Sequence, residues 1–242
     1  MEQKQPIDIV LTTWQREWAT EHCIKAFTQN TTTPYRLIII DNGSSKIAQE
    51  VYCQTADVYV KLDKNYGLEY AKNLGMDFVK SELFVSTDND ILPYKYEDKD
   101  WLQRLIDLME KNPDYGAIAL KPQVLVGTNT TMFSTPDELV PFSHVPGYAR
   151  IMHTNQVKEV GAWKDHRPLR GHEEIWIGEK FAEKGYKMGW ANHIECWHLF
   201  GNKETDMWGY KDMEPQEHGH NPVWPIYGND MDIIKERVGI EI

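Results

Sequence analysis

Between Arg36 and Asp41 the chain reads Leu37-Ile38-Ile39-Ile40, without one polar side chain. Successive side chains of a strand point to opposite faces, so a run apolar at every position needs both faces buried. Such strands belong inside a parallel sheet covered by helices on both sides. The run ends at Asp41-Asn42-Gly43-Ser44-Ser45, a polar cluster of turn-forming residues. The surrounding sequence alternates in the same way. Ile7 to Thr12 is a short β-rich run, and 15 to 29 is predicted helical from Trp18, Cys23, Ile24 and Phe27. Further helices are predicted at 46 to 54 and 67 to 80, with strands at 58 to 60 and 82 to 87. The second of these helices carries the stripe Leu68, Ala71, Leu74 and Phe78, and Gly75 weakens it. A helix at 99 to 111 and a strand at 116 to 120 complete the first half.

Strands alternating with helices imply βαβ units and a mostly parallel sheet. Ligands of such sheets bind beyond the carboxyl ends of the strands. Three polar clusters fall there: Thr12-Thr13, Asp41 to Ser44, and Asp88-Asn89-Asp90. The 242 residues, 41% of them hydrophobic, suffice for one large α/β domain or two small ones. The net charge of −11 argues against a general phosphate-backbone binder, while leaving room for a local nucleotide site.

Beyond residue 121 the pattern changes. Residues 121 to 147 look like loop, rich in Thr, Pro and Gly. Strands are predicted at 148 to 153 and 186 to 191, and helices at 155 to 160 and 173 to 184. From Gly201 the chain is polar and aromatic, with little periodicity until 230 to 238. Cys23, Cys53 and Cys196 are too few and too widely spaced for a disulfide framework or a zinc site, which points to a reducing cytoplasm. The polar start has no signal-peptide core, and no stretch approaches 18 apolar residues. Peripheral contact with a membrane stays open.

The ordered motifs resemble glycosyltransferase family 2, enzymes of the GT-A fold. Ile9-Val10-Leu11-Thr12-Thr13-Trp14-Gln15-Arg16 is similar to the family's first strand and turn. Ile39-Ile40-Asp41-Asn42-Gly43-Ser44-Ser45 resembles its Val-Val-Asp-Asp-Gly-Ser signature, with Asn42 in place of the second Asp. Asn65-Tyr66-Gly67 followed by Ala71, Asn73 and Gly75 matches its Asn-x-Gly…Ala-x-Asn-x-Gly pattern, and Asp88-Asn89-Asp90 matches Asp-x-Asp. Val160-Gly161-Ala162-Trp163 resembles its Gly-Gly-Phe turn. Gly171-His172-Glu173-Glu174, before Gly185-Tyr186, resembles the Glu-Asp element that carries the base. The resemblance implies an α/β chain with a mostly parallel, Rossmann-like sheet flanked by helices. A GT-A domain would occupy 1 to 200, with a nucleotide-binding half to 120, an acceptor-side half from 121, and an irregular extension over 201 to 242.

The resemblance also implies roles. Asp90 would ligate Mn²⁺ or Mg²⁺, because a divalent cation stabilises the departing nucleoside diphosphate and hard oxygen ligands suit these ions. Asp88 would face the ribose or base, beside Asn89. Asp41 would accept a hydrogen bond from a base N–H, as uracil or thymine offers, and a UDP-sugar is the favoured donor. Thr12, Thr13 and Arg16 would line the donor cleft, and Asn65 and Gly67 would shape the loop above the nucleotide. Transfer with inversion needs a base for the acceptor hydroxyl. Glu174 holds the family's position for it, with Glu173 beside it. His198 is a candidate third metal ligand or diphosphate contact. Trp163 and Arg170 are candidates for the acceptor or the diphosphate, as is Arg167. His218 and His220 are better read as part of a polar tail than as metal ligands. Four acceptor classes stay open: glycan, lipid-linked sugar, protein and modified nucleobase.

Two rivals use the same residues differently. A sugar-1-phosphate nucleotidyltransferase shares the sheet and metal, but normally has a Gly-rich basic loop after its first strand. Thr12 to Arg16 contains no glycine. A noncatalytic sugar-binding or scaffold protein would carry a decayed site, whereas Asp88, Asp90, Glu174 and His198 are all present.

Overall fold

A computed structural model of the protein describes residues 5–44, 48–123, 133–163, 173–199, 232 and 234–240. The first half is β1 (Ile7–Thr13), α1 (Glu17–Asn30), β2 (Tyr35–Asp41), α2 (Ala48–Thr55), β3 (Val58–Lys61), α3 (Leu68–Met76) and β4 (Leu83–Thr87). Then come β5 (Ile91–Pro93), α4 (Trp101–Lys111), β6 (Tyr115–Pro122), β7 (Leu139–Phe142), β8 (Arg150–His153), α5 (Thr154–Glu159), α6 (Glu173–Glu183) and β9 (Lys187–His198). A wide helical turn at Ile234–Val238 closes the described chain.

The strands form one sheet in the order β3-β2-β1-β4-β8-β6-β9-β5, with β7 also on β9. The expected parallel order holds across β3, β2, β1 and β4. Beyond β4 the sheet is mixed. β8 lies antiparallel between β4 and β6, β6 and β9 run parallel, and β5 and β7 run antiparallel to β9.

Strand alternation divides the core in two. Ile9, Leu11, Leu37 and Ile39 face one side with Cys23, Phe27, Tyr52 and Trp101 of α1, α2 and α4. Val10, Ile38 and Ile40 face the other, with Ala71, Val157, Ile177 and Phe181 of α3, α5 and α6. The all-aliphatic run of β2 is thus buried on both faces.

Several elements differ from the sequence-based expectation. The helix expected over 67 to 80 spans Leu68–Met76, and its buried face carries Glu69, Ala71, Lys72, Gly75 and Met76. A Cβ on Gly75 would lie 2.4 Å from Val10 Cγ1, so the glycine that weakens the helix lets it lie close against β1. Gly75→Ala is expected to destabilise the protein by about 1–3 kcal/mol through overpacking, outweighing the ~1 kcal/mol gain in helix propensity. A thermal melt checks it, and a raised Tm would overturn the packing argument.

The segment read as loop, 121 to 147, contains β7, because its edge pairs with β9. The strand expected at 186 to 191 continues to His198, with an irregularity opposite Leu120 and Lys121. β5 escaped prediction because three residues give no measurable period. Of the expected extension over 201 to 242, the described Ile234, Val238 and Ile240 are buried in the main core.

Candidate active site

The carboxyl ends of β1, β2 and β4 bring the three polar clusters together. Thr13 pairs with Asp41 across β1 and β2, and Asn42 N–H donates to the Thr13 carbonyl at 2.8 Å. Asp41 is fully buried. One of its oxygens accepts from Ser44 N–H at 2.7 Å, the other from the Tyr59 hydroxyl at 2.9 Å. Each carboxylate oxygen has a second lone pair.

Asn42, Asn65 and Gly67 shape the adjoining loop. Asn42 Nδ2 donates to Asn65 Oδ1 (2.8 Å) and to the Gly67 carbonyl (3.0 Å), while its Oδ1 accepts from Tyr66 N–H (2.9 Å). Gly67 has φ 96°, a conformation glycine accepts without steric cost. Asn42, which departs from the family's acidic signature, is therefore committed to the loop itself.

Thr12 is buried, and its hydroxyl has no partner among the described residues. Thr13 Oγ1 lies 2.9 Å from Thr20 Oγ1, and Asn89 Nδ2 donates to both hydroxyls. Asn89 thus points inward and ties the acidic triplet to α1. Its side chain is 8% exposed as a residue and engaged by the framework.

Asp88 and Asp90 diverge on either side of Asn89. Asp90 Oδ2 accepts from Arg16 Nη1 at 2.8 Å and lies 3.4 Å from His198 Nε2. Desolvation raises the Asp90 pKa, but His198 and Arg16 outweigh it and hold the carboxyl at about 2. Gln15 and Arg16 take left-handed φ values of 56° and 58°, an uncommon choice for residues other than glycine. This turn, with Gln15 N–H on Ser44 Oγ at 2.8 Å, brings Arg16 to Asp90. His198 ends β9, opposite Ile91, and its ring packs 4.8 Å from that of Tyr148.

Asp88 N–H donates to the Gly147 carbonyl at 2.9 Å. A Cβ on Gly147 would lie 2.4–2.5 Å from the Asp88 carboxylate atoms, so only glycine leaves room there. Asp88 Oδ1 lies 3.3 Å from the ammonium of Lys72, whose side chain is wholly buried. Burial raises the Asp88 pKa, with Glu173 and Asp90 adding to the rise and Lys72 opposing it.

The two glutamates at the start of α6 separate. Glu173 is 2% exposed and ion-paired to Lys72 on one oxygen and to Arg150 on the other, the latter at 2.8 Å. Desolvation pushes its pKa up, but Arg150 and Lys72 prevail and hold it at about 2. Glu174 is partly exposed and contributes to the raised pKa of Tyr148, the residue packed on His198. Helical geometry turns adjacent residues about 100° apart, so one glutamate faces the core while the next faces outward.

Trp163 is 1% exposed and sits in the core beneath the Arg150 guanidinium, 5.4 Å from the ring centroid. Its backbone is clamped by the Asn73 amide at 2.8 and 3.0 Å. A ring buried in this way offers no face for an acceptor. Arg167, Arg170, His218 and His220 lie outside the described residues. Lys72 and Arg150 were missed by the sequence reading. Lys72 carried a signal, since Leu68, Ala71, Lys72 and Gly75 share one helix face; Arg150 carried none.

A family model, Glycosyl transferase family 2, matches residues 8–170, well over half of the chain. The chain belongs to that family. Two solved structures have similar folds. One is GalNAc-T7 with UDP, GalNAc and Mn²⁺, at TM-score 0.67 and 14% identity, covering 83% of this chain and 45% of that one. The other is the mannosyltransferase PcManGT from Pyrobaculum calidifontis with GDP-Man and Mn²⁺, at TM-score 0.64 and 14% identity, covering 84% and 59%. The chain thus spans about half the length of these proteins, and the likeness establishes the GT-A fold. No curated protein matches the sequence. Among the described residues no helix is long and apolar enough to cross a membrane.

Proposed function

We propose that this chain transfers a sugar, with inversion, from a nucleoside diphosphate sugar to an acceptor hydroxyl, using a divalent cation and favouring a UDP donor. One observation carries the reading. An ionised carboxylate, Asp90, and an imidazole, His198, converge at the strand ends beside Asp88, while Glu174, in the first turn of α6, acts on Tyr148, whose ring packs on His198.

The residues fit a cation. Asp90 stays ionised at working pH, and His198 Nε2 faces its Oδ2 at 3.4 Å. The Arg16 guanidinium already lies on Asp90 Oδ2, showing that this oxygen attracts positive charge. Among the described residues no group of three or more His, Cys, Asp or Glu side chains could hold a metal. A two-ligand site suits an ion completed by diphosphate oxygens and water. Asp90 and His198 would hold the cation, which supplies charge neutralisation for the leaving nucleoside diphosphate. Mn²⁺ is preferred over Mg²⁺ because one ligand is imidazole.

The chain's own residues do the rest. Asp41 and the loop of Asn42, Asn65 and Gly67 bind the base, Thr12 and Thr13 line its cleft, and Asp88 orients the ribose. Arg16 is within reach of the diphosphate once Asp90 has another partner. Glu174 takes the acceptor proton as the hydroxyl attacks the anomeric carbon, placing base and leaving group on opposite faces of the sugar. Glu173 is unsuited to this, since its carboxylate is buried and held ionised by two cations.

A donor panel of UDP- and GDP-sugars, assayed for nucleoside diphosphate release with and without Mn²⁺, tests the proposal. Metal-dependent release is expected, largest with a UDP-sugar. No release from any donor would sink the catalytic reading, and equal release after chelation would sink its metal.

A further inference from the structure

Four charges lie between the two halves of the sheet. Lys72 reaches from α3 to Asp88 after β4 and to Glu173 at the start of α6. Glu173 also takes Arg150 from β8, and Arg150 Nη1 donates to the Val145 carbonyl at 2.9 Å. The side chains of Lys72 and Arg150 are 0% exposed, and that of Glu173 is 2%. Two cations and two carboxylates balance, which a buried cluster needs, because an unpaired charge without water is strongly unfavourable. The adjacent Asn73 binds the Trp163 backbone on both sides, so two consecutive residues of α3 grip the second half.

Asp88 is the member that faces the cleft. Its side chain is 32% exposed, whereas its three partners in charge are inside. Gly147, whose missing Cβ clears space beside the Asp88 carboxylate, holds nothing there. Lys72 is the buried cation paired with this carboxylate from behind, at 3.3 Å from Oδ1. The same ammonium is bound to Glu173, one residue before Glu174.

We propose that Lys72 is a positioning residue for the transfer reaction: its buried ammonium fixes the Asp88 carboxylate for the donor and sets that carboxylate in register with the helix that presents Glu174. The proposal rests on the reading of Asp88 as a donor contact. Lys72 itself touches no donor. It acts through Asp88, so its effect on donor binding disappears when Asp88 can no longer be held as an anion.

The test is a double-mutant cycle on the full chain with Lys72→Met, Asp88→Asn and the double variant. It is read by calorimetric binding of UDP with Mn²⁺, beside thermal melts. Lys72→Met is expected to weaken UDP binding about tenfold in the native background, and less than about threefold when Asp88 is already Asn. A lowered Tm shared by both backgrounds is the effect of burial alone and does not enter the coupling. Should Lys72→Met not fold, Lys72→Arg goes through the same cycle, since it keeps the charge but alters the ammonium's position; the same disappearance of its effect is expected. Equal losses in both backgrounds would overturn the proposal while leaving the transferase reading intact. Failure of the native protein to bind any nucleotide in the donor panel would overturn both.

Discussion

Glu174→Gln is expected to lower kcat about 10²- to 10⁴-fold, the usual share of a general base, while nucleotide binding stays within about threefold of native. The amide keeps the size of the carboxylate and loses its capacity to accept a proton. Glu173 should behave in the opposite way. Removing a partner from a buried ion pair costs about 3–5 kcal/mol, so Glu173→Ala should show first as a lowered Tm. The sign of its pH dependence follows from the depressed pKa. Glu173 has a value of about 2 against an ordinary 4.5, so its contribution to stability is present above pH 4.5 and is lost as pH falls toward 2. It stays ionised and paired throughout the range of a transfer assay. Single-turnover rates and melts of both variants decide the matter. Full transfer by Glu174→Gln would remove the base from this helix.

Asp90→Asn is expected to reduce kcat/KM about 10³-fold, the equivalent of several kcal/mol of lost charge stabilisation at the leaving group. It should also abolish the gain in UDP affinity on adding Mn²⁺. The fold should tolerate the change, because Asn89 and not Asp90 ties the triplet to Thr13 and Thr20. His198→Asn, which leaves the Asp90 carboxylate in place, should reduce the same Mn²⁺ effect less. Titration of Mn²⁺ by electron paramagnetic resonance, with and without UDP, measures the ion directly. Native-like Mn²⁺ binding by Asp90→Asn would move the cation site elsewhere.

Pattern-readable features of this protein are those whose cause is local. β2 was legible because Leu37 to Ile40 cannot sit beside water on either face, and its neighbours because strands and helices alternate in step with it. The three polar clusters at strand ends were legible for the same reason: a parallel sheet puts its carboxyl ends together whatever the loops do. The register of β1 against β2 and β4 then brings Thr13, Asp41 and Asp88 into one cleft. Local pattern failed where neighbours from far along the chain decide. β7 is a strand because β9 supplies its partner, and Gly75 lies in a helix because Val10 leaves no room for a Cβ.

The acidic residues show the same division. Residue order alone placed Asp88 and Asp90 at a strand end of an α/β sheet and the Glu173-Glu174 pair at a helix start. Only the tertiary structure gave them different environments. Asp90 meets Arg16 and His198 from two distant turns, Asp88 meets Lys72, and Glu173 is enclosed by Lys72 and Arg150. Glu174 is left partly exposed one residue further along the same helix. The physical reason is that a carboxylate's chemistry is set by desolvation and by the charges within a few ångströms of it, and those charges come from residues as far as a hundred positions away.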